Sequence, residues 1–155
     1  MTVSAWRIVK AKLADAAFSG HGARVAGGRW NSPGTAVVYV SDSASLAMLE
    51  MLVHLQSPDL LKRYVLFEVK FDDALVRTVD LQALPRSWRK SPPHPVVQQV
   101  GDRWVAGGAS AALKVPSVIV PDGWNYLLNP AHADFKSMVI GPRQATKFDP
   151  RLMKP

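Results

Sequence analysis

Cysteine is absent from the chain. The protein therefore has no disulfide bond, no zinc–thiolate site and no thiol nucleophile. No secretory signal is recognised in the first residues, because they contain no basic segment followed by an apolar run. No apolar stretch approaches the roughly 20 residues that are needed to span a membrane. We therefore expect a cytoplasmic protein that does not contact the membrane.

Common motifs for nucleotide and nucleic-acid binding are missing as well. The chain has neither the G-x-G-x-x-G sequence of a dinucleotide-binding fold nor the glycine-rich lysine motif of a P-loop. It also lacks zinc-finger spacing, a helix-turn-helix pattern and an RNP-like aromatic strand. Its formal net charge of +7 is compatible with binding to nucleic acid, to an acidic partner protein or to an anionic small ligand. Because no nucleic-acid motif accompanies the charge, we expect no direct nucleic-acid binding.

Length and composition predict one globular domain. With 155 residues, of which 48% are apolar and 20% charged, the chain can bury one sizeable core. It contains no internal repeat, low-complexity tract or linker, and its strand and helix patterns are segregated. The prediction is a single α+β domain over residues 1–155, with its core at about 5–141 and a C-terminal tail at 142–155.

A glycine-rich turn, a short strand and an apolar helix follow one another from Gly27 to Glu50. Two adjacent glycines permit positive φ and a close approach of a ligand to the backbone. Val37–Val40 is a run of strand-forming residues, and Ser43 can cap the helix that follows. Arg29 in the turn and Glu50 in the helix indicate a site for an anionic ligand whose reaction develops positive charge.

The apolar helix places Glu50 near a predicted buried stripe. Leu46, Leu49 and Val53 recur at positions i, i+3 and i+7, which predicts that they face the core. Glu50 follows Leu46 by four residues and lies on or beside this stripe. Because burial of a lone carboxylate is costly, Glu50 must be paired, hydrogen-bonded or directed into a cavity. The alternative to a catalytic role is an ion pair with an arginine of the turn or of the first strand.

The remaining patterns predict strands, a helix and a surface loop. The strands are predicted at Ala5–Val9, at Tyr64–Phe71, near Val118 and, as a last core strand, at Ser137–Gly141; the helix at 96–105, ended by Gly107 and Gly108; and the loop at 85–95.

Several short motifs occur in an order and spacing that are more specific than any one of them. They are Arg7, Gly28-Arg29-Trp30-Asn31, Tyr39-Val-Ser41, Glu50, Val115-Pro-Ser117 and Asn129-Pro-Ala-His132. With these motifs in order, the chain resembles the RES-domain proteins over essentially its whole length, from Trp6 to about Gly141.

The resemblance implies a fold similar to that of ADP-ribosyltransferase toxins, with mixed or antiparallel sheets and flanking helices. It implies the toxin half of a bacterial toxin–antitoxin pair, whose antitoxin carries an Xre-like DNA-binding domain and in whose complex the toxin can form a homo-oligomer. The implied activity is consumption of NAD by phosphorolysis or hydrolysis of the nicotinamide–ribose bond. NAD is then a substrate, inorganic phosphate is a candidate co-substrate, and no resident cofactor is expected.

The resemblance also implies an NAD site formed by Arg7, Arg29, Tyr39, Glu50 and Ser117. Glu50, Arg29 and Ser117 are the expected catalytic residues. A fixed carboxylate such as Glu50 stabilises the positive charge that develops on the ribose in the transition state. Arg7 and Arg29 are expected to bind phosphate groups, and Ser117 to hydrogen-bond the substrate. Tyr39 is expected to stack on nicotinamide or to bond a ribose hydroxyl.

Four further residues are assigned to substrate binding on the same basis: Asn31, Ser41, Asn129 and His132. Structural alternatives stand beside these roles. Arg29 could form only a loop ion pair, Tyr39 could be a half-buried strand residue, and His132 could cap a loop. We expect no metal site, because Glu50 and His54 would supply only two ligands.

Three functions therefore compete at the level of sequence. The first is degradation of NAD, and the second is transfer of ADP-ribose to a protein, which uses the same site with a different acceptor. The third is a non-enzymatic basic module that binds nucleic acid or an acidic partner, for which Glu50 would be dispensable.

Overall fold

One eight-stranded, mostly antiparallel sheet forms the centre of the computed structural model, which describes residues 1–152. The spatial order is β4-β5-β6-β2-β1-β3-β7, with β8 pairing along another part of β3. Among the strands of the described residues, only β4 and β5 pair in parallel. The strands are β1 (Thr2–Lys10), β2 (Val38–Ser41), β3 (Tyr64–Asp72), β4 (Val76–Thr78), β5 (Ala112–Pro116), β6 (Trp124–Leu128), β7 (Val139–Ile140) and β8 (Gln144–Thr146).

In the described part of the chain, four α-helices and several short 3-10 helices flank the sheet, so the predicted α+β class is confirmed. No helix within residues 1–152 is both long and apolar enough to cross a membrane. The α-helices are α1 (His21–Ala26), α2 (Ala44–Leu52), α3 (Ser57–Leu60) and α4 (Pro95–Gly107), and the 3-10 helices are Ala11–Ala16, Asp73–Leu75, Leu81–Ala83, Ala133–Ser137 and Pro150–Leu152.

The sheet consists of two halves that meet at a single registered residue pair. One half is β4-β5-β6-β2, and the other is β1-β3-β7 with β8. Strand β1 pairs with β3 along its whole length, and β2 pairs with β6 along its whole length. Between β1 and β2, in contrast, only Trp6 and Ser41 are in register. The two halves are therefore joined by little backbone hydrogen bonding, and side chains near this junction can reach the space between them.

Two apolar clusters hold helices against the sheet near this junction. The cluster beneath α4 contains Trp30, Val97 and Leu127, all at most 2% exposed. The cluster beneath α2 contains Ile8 and Ala47 and is extended by other residues of β1 and β3. Burial of such side chains contributes roughly 1.5–3 kcal/mol each. Both helices are thus fixed to the part of the sheet that carries the candidate site.

The predicted buried stripe of α2 is wrong in two of its three positions. Leu46 is 4% exposed and faces the core together with Ala47, but Leu49 is 39% and Val53 60% exposed. Val53 follows the last residue of the helix. Because this helix is apolar on nearly every side, the spacing of its apolar residues did not distinguish the buried face.

Two predicted strands also differ from the structure. The strand expected near Val118 is β5, which ends at Pro116, and the chain then turns. The side chain of Ser117 accepts hydrogen bonds from backbone N–H groups two and three residues later, which is incompatible with a continuing strand. The core strand expected at Ser137–Gly141 is reduced to Val139–Ile140, and both of its residues are exposed.

Other predicted elements are confirmed. Strand β3 and helix α4 lie where they were expected, and α4 is followed by Gly108 with a φ of 62°, a left-handed conformation that glycine adopts without strain. Part of the segment predicted as a tail folds onto the sheet, because β8 pairs with β3 and Phe148 is 3% exposed. Residues 153–155 of that segment lie outside the described residues.

Candidate active site

The carboxylate of Glu50 lies at the centre of a small polar network. Helix α2 begins after Ser43, whose hydroxyl accepts a hydrogen bond from the backbone N–H of Leu46 at 3.0 Å. In the last turns of this helix, Oε1 of Glu50 accepts two hydrogen bonds of 2.8 Å, one from Ser117 and one from Asn125. Oε2 of Glu50 has no hydrogen-bond partner among residues 1–152. One carboxylate oxygen is therefore fixed by the protein, and the other can accept a hydrogen bond from a ligand.

Asn125 is oriented by Ser41 on the neighbouring strand. The Ser41 hydroxyl donates to Oδ1 of Asn125 at 2.6 Å, and the two residues are opposite each other in the β2–β6 register. Since Oδ1 is occupied in this way, the amide Nδ2 points towards Glu50. Ser41, predicted as a substrate ligand, is 4% exposed and contacts the network through Asn125. Asn125 was missed by the sequence prediction, although an asparagine within the apolar strand Trp124–Leu128 is a usable signal.

Ser117 is held with its hydroxyl hydrogen directed at Glu50. Its oxygen accepts hydrogen bonds from the N–H groups of Ile119 at 3.0 Å and Val120 at 3.1 Å. A serine hydroxyl has one hydrogen, and the 2.8 Å contact with Oε1 of Glu50 uses it. The turn that ends β5 thus gives Ser117 one defined donor direction, and the side chain is 5% exposed.

Helix α4 fixes the turn that carries Arg29. Gln98 donates through Nε2 to the carbonyl oxygen of Gly28 at 3.0 Å. The carboxylate of Asp102 accepts hydrogen bonds from the backbone N–H and the hydroxyl of Ser32. Gly101 lies between Gln98 and Asp102 on α4. At this position the helix approaches the Trp30 carbonyl so closely that a Cβ added to Gly101 would lie 1.7 Å from the carbonyl oxygen. The helix therefore contacts the turn on both sides of Arg29 and sets its position.

The guanidinium of Arg29 contacts the loop that precedes α4. Nη1 donates to the carbonyl oxygens of Trp88 and Lys90 at 2.9 and 2.8 Å, and Nη2 donates to Ser91 Oγ at 3.1 Å. Burial lowers the pKa of Arg29, and the nearby negative charge of Glu50 partly opposes this shift. No ion pair within 4.0 Å joins the two residues in the described chain. Within residues 1–152, three of the five guanidinium N–H donors have partners, which leaves two for a ligand.

Tyr39 and Asn31 form a buried pair behind this turn. The Tyr39 hydroxyl donates to Oδ1 of Asn31 at 2.5 Å and accepts from the backbone N–H of Trp30 at 3.1 Å. Nδ2 of Asn31 donates to backbone carbonyls, including that of Ala23 at 2.9 Å, and Asn31 is fully buried. Burial raises the pKa of the Tyr39 phenol, which therefore stays protonated. Asn31 and the Tyr39 hydroxyl thus act within the protein, and the partly buried Tyr39 ring packs against the cluster that contains Trp30.

Arg7 bridges the gap between the two halves of the sheet. Its Nη1 donates to the carbonyl oxygen of Tyr39 on β2 at 3.0 Å, and its Nε donates to the carbonyl oxygen of Ala17 at 2.5 Å. Burial lowers the pKa of Arg7 to about 10, so the guanidinium remains charged at neutral pH. The positive charge of Arg7 therefore lies at the junction of the halves with no carboxylate within 4.0 Å in the described residues.

Asn129 and His132 lie away from the Glu50 network. Asn129 follows β6 at the end opposite Asn125, four residues or roughly 13 Å along the strand. Its side chain accepts a hydrogen bond from the N–H of Ala131. The ring of His132 contacts the Gly108 carbonyl and accepts from the backbone N–H two residues on, which is the loop-capping arrangement. The structure brings together Glu50, Ser117, Asn125 and Ser41, and it places Arg29 near enough for the charge of Glu50 to act on its pKa. Asn129 and His132 are not part of this group.

This chain shares its fold with a protein of known structure. Its structure is similar to a chain of the crystal structure of the Mycobacterium tuberculosis MbcT–MbcA toxin–antitoxin complex, with a TM-score of 0.77 and 22% sequence identity. The similarity covers 98% of this chain and 87% of the other, which shows a common fold.

Sequence comparison identifies the family. The model of the RES domain matches residues 4–149, and the chain belongs to the RES domain family. It is 37% identical to a protein of Yersinia enterocolitica named Toxin Res, over 95% of this chain and 97% of that protein. It is 40% identical to the Prs ADP-ribosylating toxin of a Sphingobium strain, over 99% of each chain. A Toxin Res of Photorhabdus laumondii is 36% identical over 96% of both.

Proposed function

We propose that the protein is the toxin of a toxin–antitoxin pair and that it cleaves the nicotinamide–ribose bond of NAD. The observation that carries this proposal is the state of the Glu50 carboxylate. Ser117 and Asn125 hold Oε1, while Oε2 has no partner among residues 1–152. A carboxylate fixed by one oxygen on a packed helix is suited to accept a hydrogen bond from a ribose hydroxyl through the other.

Glu50 stabilises the transition state by its charge. As the bond between nicotinamide and ribose breaks, its electron pair leaves with nicotinamide, and positive charge develops at the anomeric carbon and ring oxygen. A preorganised carboxylate stabilises that charge more than it stabilises the uncharged ribose of the ground state. The hydrogen bonds from Ser117 and Asn125 keep the carboxylate in place without reorganisation during the reaction.

Arg29 and Arg7 supply positive charge for the phosphate groups. Arg29 keeps two N–H donors beyond those used by Trp88, Lys90 and Ser91, and a planar guanidinium can bind a phosphate through a pair of donors. Arg7 adds a second charge at the junction of the two halves of the sheet. The attacking oxygen comes from inorganic phosphate or from water, and it forms the new bond to the anomeric carbon that nicotinamide leaves.

The test is to incubate the purified protein with NAD, with and without inorganic phosphate, and to measure nicotinamide release. We expect release in at least one condition, and Glu50→Gln should reduce it at least about a hundredfold if the charge contributes about 3 kcal/mol. Glu68→Gln is the matched control, because Glu68 lies on β3 and faces Lys70. The absence of turnover by the native protein in both conditions would refute the proposal.

The product formed together with nicotinamide shows whether inorganic phosphate or water is the nucleophile. ADP-ribose 1″-phosphate indicates phosphorolysis, and free ADP-ribose indicates hydrolysis. If the protein were instead a non-enzymatic binding module, Glu50→Gln would leave its toxicity unchanged as long as the variant folds.

ADP-ribosyl transfer to a protein is the second candidate, because a relative with 40% identity is named an ADP-ribosylating toxin. It uses the same cleavage step, with a protein side chain as the attacking group. Labelled NAD added to a cell lysate should then mark a protein in a manner that depends on Glu50. A lysate in which no protein is labelled, while nicotinamide is released, would favour phosphorolysis or hydrolysis.

An antitoxin is the expected partner, since the similar solved structure is a toxin–antitoxin complex. We propose that this antitoxin carries an Xre-like DNA-binding domain and that the pair acts in the cytoplasm, where NAD is abundant. An adjacent gene that encodes a small helix-turn-helix protein would support this assignment, and co-purification of that protein with the toxin would test it.

A further inference from the structure

A basic depression lies where β1 ends and β3 begins. The backbone N–H of Ala11 donates to the Arg63 carbonyl oxygen at 2.9 Å, which brings the two chain segments together. The depression has a volume of about 310 Å³. We call it the lysine depression; its lining residues are Lys10, Ala11, Lys12, Lys62 and Arg63.

The lysine depression carries more positive charge than its one acidic neighbour neutralises. Oδ1 of Asp59 is 3.2 Å from Nζ of Lys10 and 2.9 Å from Nζ of Lys62. Hydrogen bonds from these two ammonium groups lower the pKa of Asp59 to about 2, so this carboxylate stays ionised at neutral pH. Lys12 and Arg63 form no ion pair within 4.0 Å in the described residues. Four cations therefore line the depression, and the Asp59 carboxylate pairs with two of them.

A second, partly apolar depression lies next to the basic one in the chain. It is lined by Leu60 and Leu61, which immediately precede Lys62, and by residues 147–150, whose one carboxylate, Asp149, is paired with Arg151. Leu61 is 65% exposed, so its side chain is available to a partner at this surface. The hydrocarbon stems of the lysines extend this apolar surface, with the ammonium groups at their ends in water. The two depressions thus present positive charges and an exposed leucine side by side.

This surface is separate from the Glu50 network. Trp6 pairs with Ser41 beside the network, and Lys10 lies four residues, or roughly 13 Å, further along β1. None of the residues that contact Glu50 lines either depression. An occupant of this surface can therefore bind without touching the carboxylate.

We propose that the two depressions together bind an acidic segment of a partner protein, in which carboxylates alternate with apolar side chains. The carboxylates would meet Lys12, Lys62 and Arg63, and an apolar side chain would cover Leu61. Charge complementarity of this kind steers association and selects the partner. A nucleic acid fits less well. Its phosphates would leave the exposed Leu61 uncovered, and no exposed aromatic ring lines the surface on which a base could stack.

The first test measures binding of a fluorescein-labelled peptide, Glu-Leu-Glu-Asp-Leu-Glu-Glu-Leu, by fluorescence anisotropy. Lys62→Ser/Arg63→Ser removes two charges from the surface, and Arg77→Ser/Lys136→Ser removes the same number from exposed positions elsewhere. The first double variant should weaken binding by about tenfold, and the second by less than about twofold. Equal weakening by both variants would show that only net charge matters and would overturn the proposal.

A second variant tests the apolar contact. Leu61→Ser changes an exposed side chain, so the protein should remain folded, and the loss of one buried leucine contact should weaken binding by about tenfold. This loss should persist at high salt, where the charge contribution is screened. Binding of the peptide that is unaffected by Leu61→Ser would contradict the proposed mode.

Competition distinguishes a protein partner from nucleic acid. A 20-base single-stranded DNA should fail to displace the peptide at an equal concentration of charge, and displacement by the DNA would overturn the assignment to an acidic protein segment. All of these variants should release nicotinamide from NAD as the native protein does. Peptide binding is measured without NAD, so its failure and the failure of the proposed activity are separate results.

Discussion

Asn125 donates a hydrogen bond from its amide to Oε1 of Glu50 across 2.8 Å, and these residues are 75 positions apart in the chain. Strand β6 carries the amide and helix α2 carries the carboxylate, so the bond forms only after both elements pack on the sheet. Ser41 orients the amide from the opposite side at 2.6 Å. The position of the proposed catalytic carboxylate therefore depends on a strand residue outside the sequence motifs.

Asn125→Ala should reduce nicotinamide release by about tenfold to a hundredfold, because a hydrogen bond to a charged group contributes about 1.5–3 kcal/mol. The reduction should appear mainly in kcat, since the hydrogen bond positions Glu50 for the transition state. Asn125→Asp should be more damaging, because it places a second negative charge beside Glu50. Steady-state kinetics of both variants test this. Native kcat in Asn125→Asp would contradict the role of the amide.

Arg29→Lys should raise the KM for NAD at least about tenfold while preserving the charge. A lysine ammonium cannot contact the Trp88 and Lys90 carbonyls and still offer a planar pair of donors to a phosphate. Arg103→Lys is the matched control, because Arg103 is exposed on α4. The measurement is a full titration with NAD for each variant. An unchanged KM in Arg29→Lys would show that Arg29 acts only as a structural contact of the loop.

Gly101→Ala should destabilise the protein, whereas Gly107→Ala should not. A Cβ at position 101 would lie 1.7 Å from the Trp30 carbonyl oxygen, so α4 or the Arg29 turn must move. Overpacking of this kind typically costs 1–3 kcal/mol. Gly107 has no neighbouring atom within 4 Å of an added Cβ, and replacement of a helical glycine by alanine can even stabilise. Thermal unfolding of both variants tests this; equal Tm values would contradict the close approach.

Asp59 should contribute to stability in a pH-dependent way. Its pKa is lowered from 3.8 to about 2 by hydrogen bonds from Lys62 and Lys10, so the folded state holds the ionised form more strongly than the unfolded state does. The contribution is therefore fully present above about pH 4 and is lost as the pH falls towards 2. Urea unfolding of the native protein and of Asp59→Asn across this range checks the sign. A difference that stays constant from pH 7 to 2 would contradict it.

Local patterns were sufficient to predict several elements of the fold. Strand β3 has a clear alternation, and α4 has helical spacing and ends at a glycine, so both were predicted from neighbouring residues alone. The exposed face of α2 was not predictable in this way. Leu49 and Leu46 have the same side chain, and only the packing of the helix on the sheet decides which one is buried.

The candidate site shows the same limit. Glu50 was selected from its position in the apolar helix and Ser117 through a family resemblance, and the structure places the two in contact. Asn125 was not selected, because its partner lies on another element and no motif contains it. The catalytic and binding roles assigned to Arg7, Arg29 and Tyr39 remain predictions, for which the proposed assays are the test.

The single registered pair between Trp6 and Ser41 has a mechanical consequence. Because β1 and β2 share so little backbone hydrogen bonding, a change in the separation of the two halves would have to break the Trp6–Ser41 pairing and the Arg7–Tyr39 hydrogen bond but no long strand ladder. We expect a molecule that contacts both Arg7 on β1 and the Glu50 network, which reaches β6 through Asn125, to hold the two halves together. Amide hydrogen exchange in β2 should then slow when this molecule is bound, under conditions in which global unfolding is unchanged.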